Sequence, residues 1–245
     1  MRYKTLLKNL ASKDNDQDLL SFFDECSYTL GFFTSDAKER TPLDTEVAVV
    51  VMGYLLGKRL GLNRYVGCYV NFLQTYHDYL NPHKLLRMTL CFEQTFKEDL
   101  PFVQLMKYVL NKCDPKRYKY FLAKPLKEKF YLDQELAELT DLLLEERGFF
   151  LSLPKKLNLM LPENSLRLRE LDLLPKESFL RRNMQMRLRL FFGATYRGDA
   201  LILLNNDPTI SVKEVSETLM LSYEPSHRLV SELRSYQKLG YKINI

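Results

Sequence analysis

Residues 199–239, DALILLNNDPTISVKEVSETLMLSYEPSHRLVSELRSYQKL, decide how this chain is read. Asp199 to Asn206 is a short apolar helix, Asp207-Pro208 a break, and Thr209-Ile210-Ser211 a β-branched step that reads as a short strand. Val212 to Leu221 and Pro225 to Leu239 give two further helices, the last closed by Gly240. Val212, Val215 and Leu219 put one apolar face on the second of these, and Leu229, Val230, Leu233, Tyr236 and Leu239 supply the inward face of the third. Ser226, His227, Arg228, Ser231 and Arg234 are left outward, and they are donors suited to base edges and phosphates. Arg228 is the expected base contact; Arg234, nearly two turns on, is the expected phosphate contact. Helix, short strand, helix, turn and helix is the order in which many proteins place one helix in a DNA major groove.

Upstream of this stretch the charge changes. Residues 1–146 hold 20 basic and 21 acidic side chains, whereas 147–245 hold 16 basic and 10 acidic, so the net charge of +5 belongs to the C-terminal part. Arg181, Arg182, Arg187, Arg189 and Arg197 follow one another with no acidic residue until Asp199. Such side chains neutralise phosphates and supply the sequence-independent part of DNA affinity. On its own, a basic run is as well explained by a solvated helix face.

The segment from Leu188 to Tyr241, LRLFFGATYRGD followed by ALILLNNDPTISVKEVSETLMLSYEPSHRLVSELRSYQKLGY, resembles the winged helix-turn-helix of bacterial transcriptional-regulator-like proteins. The resemblance lies in an FG-x-x-x-R segment leading into the first helix and a Ser-Tyr turn opening the recognition helix, and it covers roughly a quarter of the chain. It implies that Ser222, Tyr223, Ser226, His227 and Arg228 form the DNA-facing end of the recognition element, with Arg187, Arg189 and Arg197 as basic lead-in. Two features depart from the pattern. The third helix is longer than usual before its glycine, and Tyr241 to Ile245 leaves room for one strand, able to pair with 209–211, but not for a complete wing.

The first 146 residues read as helices. Thr41-Pro42-Leu43-Asp44 has a hydroxyl cap, a proline at the first helical position and a carboxylate three residues after the cap, and starts a helix through Val47–Val51 to about Leu60. Asn63 to Leu80 carries apolar residues at three-four spacing and ends at Asn81-Pro82; His83 to Phe96 and Phe102 to Asn111 follow. Lys112 to Lys129 mixes seven basic residues with Tyr118, Tyr120 and Phe121, a combination that can hold single-stranded nucleic acid but is better read as a loop and short helix with its aromatics turned to the core. Residues 133–146 form an acidic helix whose leucine stripe packs in the bundle or, less commonly, against a second subunit in a homodimer. Residues 149–180 read as an ordered connector, and Lys176 to Phe192 as one long helix with Leu180, Met184, Leu188 and Phe191 inward. The expected architecture is mainly all-α: a helical domain (1–148), a connector (149–180) and a winged-helix-like helix-turn-helix domain (181–245) with minimal β.

Other chemistry finds little footing. The longest apolar run, Val47 to Gly57, is eleven residues, well short of the ~20 that cross a bilayer, and the N-terminus turns polar before a signal peptide develops, so a cytoplasmic chain without membrane contact is expected. Cys26, Cys68, Cys91 and Cys113 are far apart and suit core thiols rather than zinc ligands. His77-Asp78 lacks the upstream histidine of a metal-binding HD pair, and single glycines form neither a phosphate loop, a dinucleotide turn nor a nucleophile elbow. No catalytic set, metal or cofactor is expected. Two readings remain: a regulator whose C-terminal part binds double-stranded DNA while the helical domain oligomerises or senses an effector, and a non-catalytic protein–protein interaction module in a cytoplasmic assembly.

Overall fold

A computed structural model of the chain describes residues 3–11, 16–32, 42–56, 65–96, 103–123 and 173–238. The acidic helix of 133–146, the first part of the connector, the basic tract beyond Ala123 and the closing strand of 241–245 lie outside the described residues. Within them the chain forms twelve α-helices and no strand, with one isolated antiparallel bridge between Phe32 and Leu173. The helices are α1 (Tyr3–Ala11), α2 (Asp16–Leu30), α3 (Thr45–Leu56), α4 (Val66–Tyr76), α5 (Pro82–Phe96), α6 (Val103–Cys113), α7 (Lys119–Ala123), α8 (Lys176–Arg182), α9 (Met184–Phe192), α10 (Tyr196–Asn206), α11 (Val212–Leu219) and α12 (Tyr223–Lys238).

The centre of the bundle is α3. Its sequence, TEVAVVVMGYLL, is apolar all round, and every residue of it is buried, as expected for a helix enclosed by others. Helices α2, α5 and α4 pack on it, α6 packs on α4, and α1 and α7 pack on α5. Tyr54 of α3 meets Phe92 and Phe96 of α5 at ring-centroid distances of 4.9 and 5.0 Å. Cys26 and Cys68 lie buried in this core and Cys91 and Cys113 at its edge, none of them in a disulfide. Tyr118 and Phe121 of the basic tract point inward, whereas Tyr120 is exposed.

Several boundaries differ from the sequence expectation, each for a local reason. The start of α3 is capped by Asp44, whose Oδ1 accepts from the Val47 amide at 3.3 Å, so Asp44 precedes the helix instead of lying in its first turn. The long helix expected over 176–192 is two helices broken at Asn183, which has extended backbone dihedrals. Its Oδ1 accepts from the Met186 amide at 3.1 Å, capping α9, while its Nδ2 donates to the Thr29 carbonyl at 3.1 Å and to Thr45 Oγ1 at 3.3 Å. Phe191, expected inward, is 81% exposed beside the exposed Leu190 and Phe192, and Gln185 and Arg189 are turned inward instead. Gly193 then ends α9 at φ 68°, a left-handed conformation that suits a residue without Cβ.

The β-branched step 209–211 is not a strand. Asp207 Oδ1 accepts from the Thr209 amide at 2.9 Å and from its hydroxyl at 2.6 Å, closing a turn. Ser211 is the cap of α11: its hydroxyl accepts from the Glu214 amide and the Glu214 carboxylate accepts from the Ser211 amide, a reciprocal capping box. The extended dihedrals of Ser211 are those of a cap.

Two apolar cores result. One joins α1 to α8 and extends to Met186; the other holds Leu188, Ala200, Leu201, Leu204, Val215, Leu219, Val230 and Leu233. The change of core falls inside α9: Leu173, Leu174, Phe179, Leu180 and Met186 pack with the bundle, while Met184 and Leu188 pack with the second core.

Candidate functional site

Helices α10, α11 and α12 pack mutually around the second core. Thr195 caps α10 through its hydroxyl. Helix α11 ends at Met220, which adopts the left-handed conformation (φ 56°, ψ 37°), and the Leu221 amide reaches back to the Ser216 carbonyl at 2.9 Å. This is a Schellman end made with methionine where glycine is usual. Only Met220, Leu221 and Ser222 separate α11 from α12. Helix α12 starts two residues before Pro225, because a first-turn proline gives up an amide that has no helical partner anyway.

The structure sorts the ten sequence-derived candidates. Ser222 lies exposed just before α12 and Tyr223, His227, Arg228 and Ser231 lie exposed on it, and the rings of Tyr223 and His227 stack at 6.1 Å one turn apart. Arg228 pairs with Glu224 on the same face. Ser226 is buried, its hydroxyl donating to the Ser222 carbonyl at 3.0 Å, so it faces the core and not a ligand. Arg234 Nη2 donates to the Ile210 and Pro208 carbonyls at 2.6 and 3.3 Å, tying down the loop before α11. Arg197 forms hydrogen bonds of 2.9 and 3.3 Å with Glu232 of α12. Arg187 is half-buried, and Arg182 covers the Tyr28 ring at 4.3 Å. From 196 to 238 there are five basic and six acidic side chains, so the three-helix unit carries no net positive charge.

Arg189 requires a larger correction. Expected at a phosphate, it is 2% exposed and stands at the centre of a buried polar network. Its Nη1 donates to Glu46 Oε1 at 2.5 Å and to the Tyr79 carbonyl at 2.6 Å; its Nη2 donates to Glu46 Oε2 at 2.9 Å and to both Asp199 oxygens at 3.1 Å. Lys84 supplies the second cation, its ammonium donating to Asp44 and to Asp199 Oδ2 at 2.5 Å, with Glu46 Oε2 at 3.5 Å. Gln185 completes the set: Nε2 donates to Asp199 at 2.8 Å and to Asp44 at 3.0 Å, and Oε1 accepts from the Thr45 amide at 2.7 Å. Asn81, the cap of α5, donates its amide to Glu46 Oε1 at 2.7 Å and accepts from the Lys84 amide at 3.2 Å.

The electrostatics follow from this packing. Burial alone would raise the Glu46 carboxyl, but Arg189, and then Lys84, outweigh it and hold Glu46 below its ordinary range. The same opposition, with Lys84 leading, holds Asp199 low. Burial raises the Asp44 carboxyl more than Lys84 lowers it, and Glu46 and Asp199 add to the rise. For Lys84 and Arg189 burial works against the charge, and the facing carboxylates more than restore it. Oxygens of Asp44, Glu46 and Asp199 lie within 4.8 Å of one another, a spacing that suits a metal ion, but the position among them is filled by the Lys84 ammonium. The network fastens Asp199, in the first turn of α10, to α5 and α9, and through Glu46 to α3.

Helix α5 makes a second contact with the three-helix unit. Arg87 Nη1 donates to the Met220 carbonyl at 2.6 Å, and the Met220 side chain packs against the bundle core. His77 and Asp78 are neighbours at 3.5 Å, with the His77 ring bonded to the Gln74 carbonyl. Among the described residues the one cluster with metal-ligand spacing is the three carboxylates above, and no helix is long and apolar enough to cross a membrane. No protein-family model, curated protein or solved structure matches the chain.

Proposed function

We propose that this chain is a non-catalytic, duplex-DNA-binding regulator in which α12 enters the major groove and the helical bundle carries it. The observation that bears this reading is the exposed N-terminal half of α12 behind a three-residue turn, with Ser222, Tyr223, His227, Arg228 and Ser231 pointing away from the core. Arg228 matches the acceptors of guanine, Tyr223 and His227 offer apolar edge and hydrogen-bonding atoms to neighbouring bases, and Ser222 reaches phosphate. A fluorescence-anisotropy titration of random and selected duplexes at rising salt tests it. Binding at low salt that weakens as salt rises, with Arg228→Ala impairing selected sites more than random ones, is the expected result; no binding at low salt rejects the reading.

A second reading has its own observation. Leu190, Phe191 and Phe192 form an exposed apolar edge just before α10, and contiguous apolar surface of this kind marks protein contacts. Under that reading the three-helix unit is a docking module, and a Phe191→Ser variant loses a protein partner while any duplex binding is kept.

A further inference from the structure

We infer that α5 is the element through which the bundle fixes the attitude of α12, with Arg87 as a positioning residue for the DNA-reading face; this rests on the DNA-binding reading above. The argument is geometric. Lys84 and Arg87 are one helical turn apart on α5, and they hold two of the points at which the bundle meets the three-helix unit. Lys84 grips Asp199 in the first turn of α10. Arg87 grips the carbonyl of Met220, the residue whose left-handed backbone reverses the chain between α11 and α12.

A hydrogen bond to the carbonyl of that one residue constrains its peptide plane, and the direction of α12 follows from that plane. The Met220 side chain, seated against the bundle core, holds the same residue from its other end. Helix α5 is in turn braced by the bundle: Tyr3 of α1 donates to the Met88 carbonyl at 3.0 Å, and the Phe92 ring meets that of Tyr54 of α3 at a tilt. A displacement of α5 relative to α3 therefore moves both grips together. An effector or partner acting on the bundle would reach α12 by this route, since a two-point attachment transmits rotation where one point would leave a pivot.

Arg87 is exposed and lies outside the apolar core. In the full-length chain, Arg87→Ala is expected to raise hydrogen-exchange rates at Met220–Ser222 and in the first turn of α12 by about threefold or more, while α3 exchanges as before. It is expected to weaken duplex binding by about fivefold, the lower end of typical site-to-site coupling, with the salt slope unchanged because Arg87 touches no phosphate. Arg87→Lys, which keeps a donor, is expected to recover part of both. Unchanged exchange at Met220–Ser222 overturns the inference, and so does raised exchange with unchanged affinity. A salt slope reduced by about one unit would make Arg87 a phosphate contact and overturn it equally. Should the wild-type chain bind no duplex, the DNA reading fails, and the exchange measurement alone decides whether α5 holds the turn.

Discussion

Arg189 and Glu46, 143 positions apart, face each other fully buried through hydrogen bonds of 2.5 and 2.9 Å. The pair is enclosed by two more carboxylates and one more cation, so its members cannot be removed singly without leaving a buried charge. Arg189→Met is expected to cost about 3–5 kcal/mol, the usual loss on orphaning one side of a buried pair. Adding Glu46→Gln should return part of it, because the uncompensated carboxylate is then gone. Urea denaturation of the two variants measures both values; a single-variant loss below about 1 kcal/mol would show that water reaches Glu46.

Acidification should find this network early. Glu46 and Asp199 have folded-state values below their ordinary ones, so their contribution is fully present above the unfolded values of about 4.3 and 3.9 and drains away as pH falls below them. Asp44 has the opposite sign: its carboxyl is raised, so its ionised form weakens the fold at neutral pH and that penalty disappears in acid. Lys84, held above its ordinary value, loses its contribution only as pH climbs past about 10.4. Asp199→Asn should therefore lower stability at pH 7 and flatten the acid limb, whereas Asp44→Asn, which keeps the α3 cap, should leave stability unchanged or raise it. Denaturant midpoints from pH 3 to 8 compare the two, and equal losses in both variants would contradict the assignment.

Salt dependence offers a sharper number than affinity. With Arg189 buried, Arg234 on loop carbonyls and Arg197 on Glu232, few cations remain for phosphates. Release of roughly 2–4 counterions predicts a slope of log K against log salt near −2 to −4 on B-form duplex. Arg197→Ala should change it little. A slope near −8 would place a much larger basic surface on the DNA than the described residues offer.

Met220 tests the turn. A β-branched residue is strained at φ 56°, so Met220→Val should cost about 1–2 kcal/mol. Met220→Gly relieves the strain but surrenders the contact with the bundle core, and its net effect on thermal stability should be near zero. A large loss in the glycine variant would mean that the methionine side chain, and not the backbone, dominates there.

How far the sequence foretold this structure depends on the range of the interaction. Leu201 with Leu204, Val215 with Leu219 and Val230 with Leu233 repeat at helical spacing, and their elements were legible because periodicity is local. The Asn183 break was not: an asparagine inside an apolar repeat looks like an exposed position until Thr29 and Thr45 are seen beside it. In the helix that follows it Phe191 faces outward and Arg189 inward. The ionic network draws on residues 44, 46, 84, 189 and 199, which share no spacing, and no local pattern announces that an arginine in a basic run has two buried carboxylates waiting for it.

Asp199 also bears on how this unit is inherited and engineered. A three-helix segment of 196–238 is near the lower size limit for independent folding, and it would leave with a carboxylate whose neutralising partners, Lys84 and Arg189, stay behind. Grafted onto a foreign scaffold, it would carry an unmet negative charge at the foot of its first helix. The smallest piece that keeps these ion pairs is thus discontinuous in sequence, comprising α9 to α12 together with a lysine-bearing helix supplied from elsewhere.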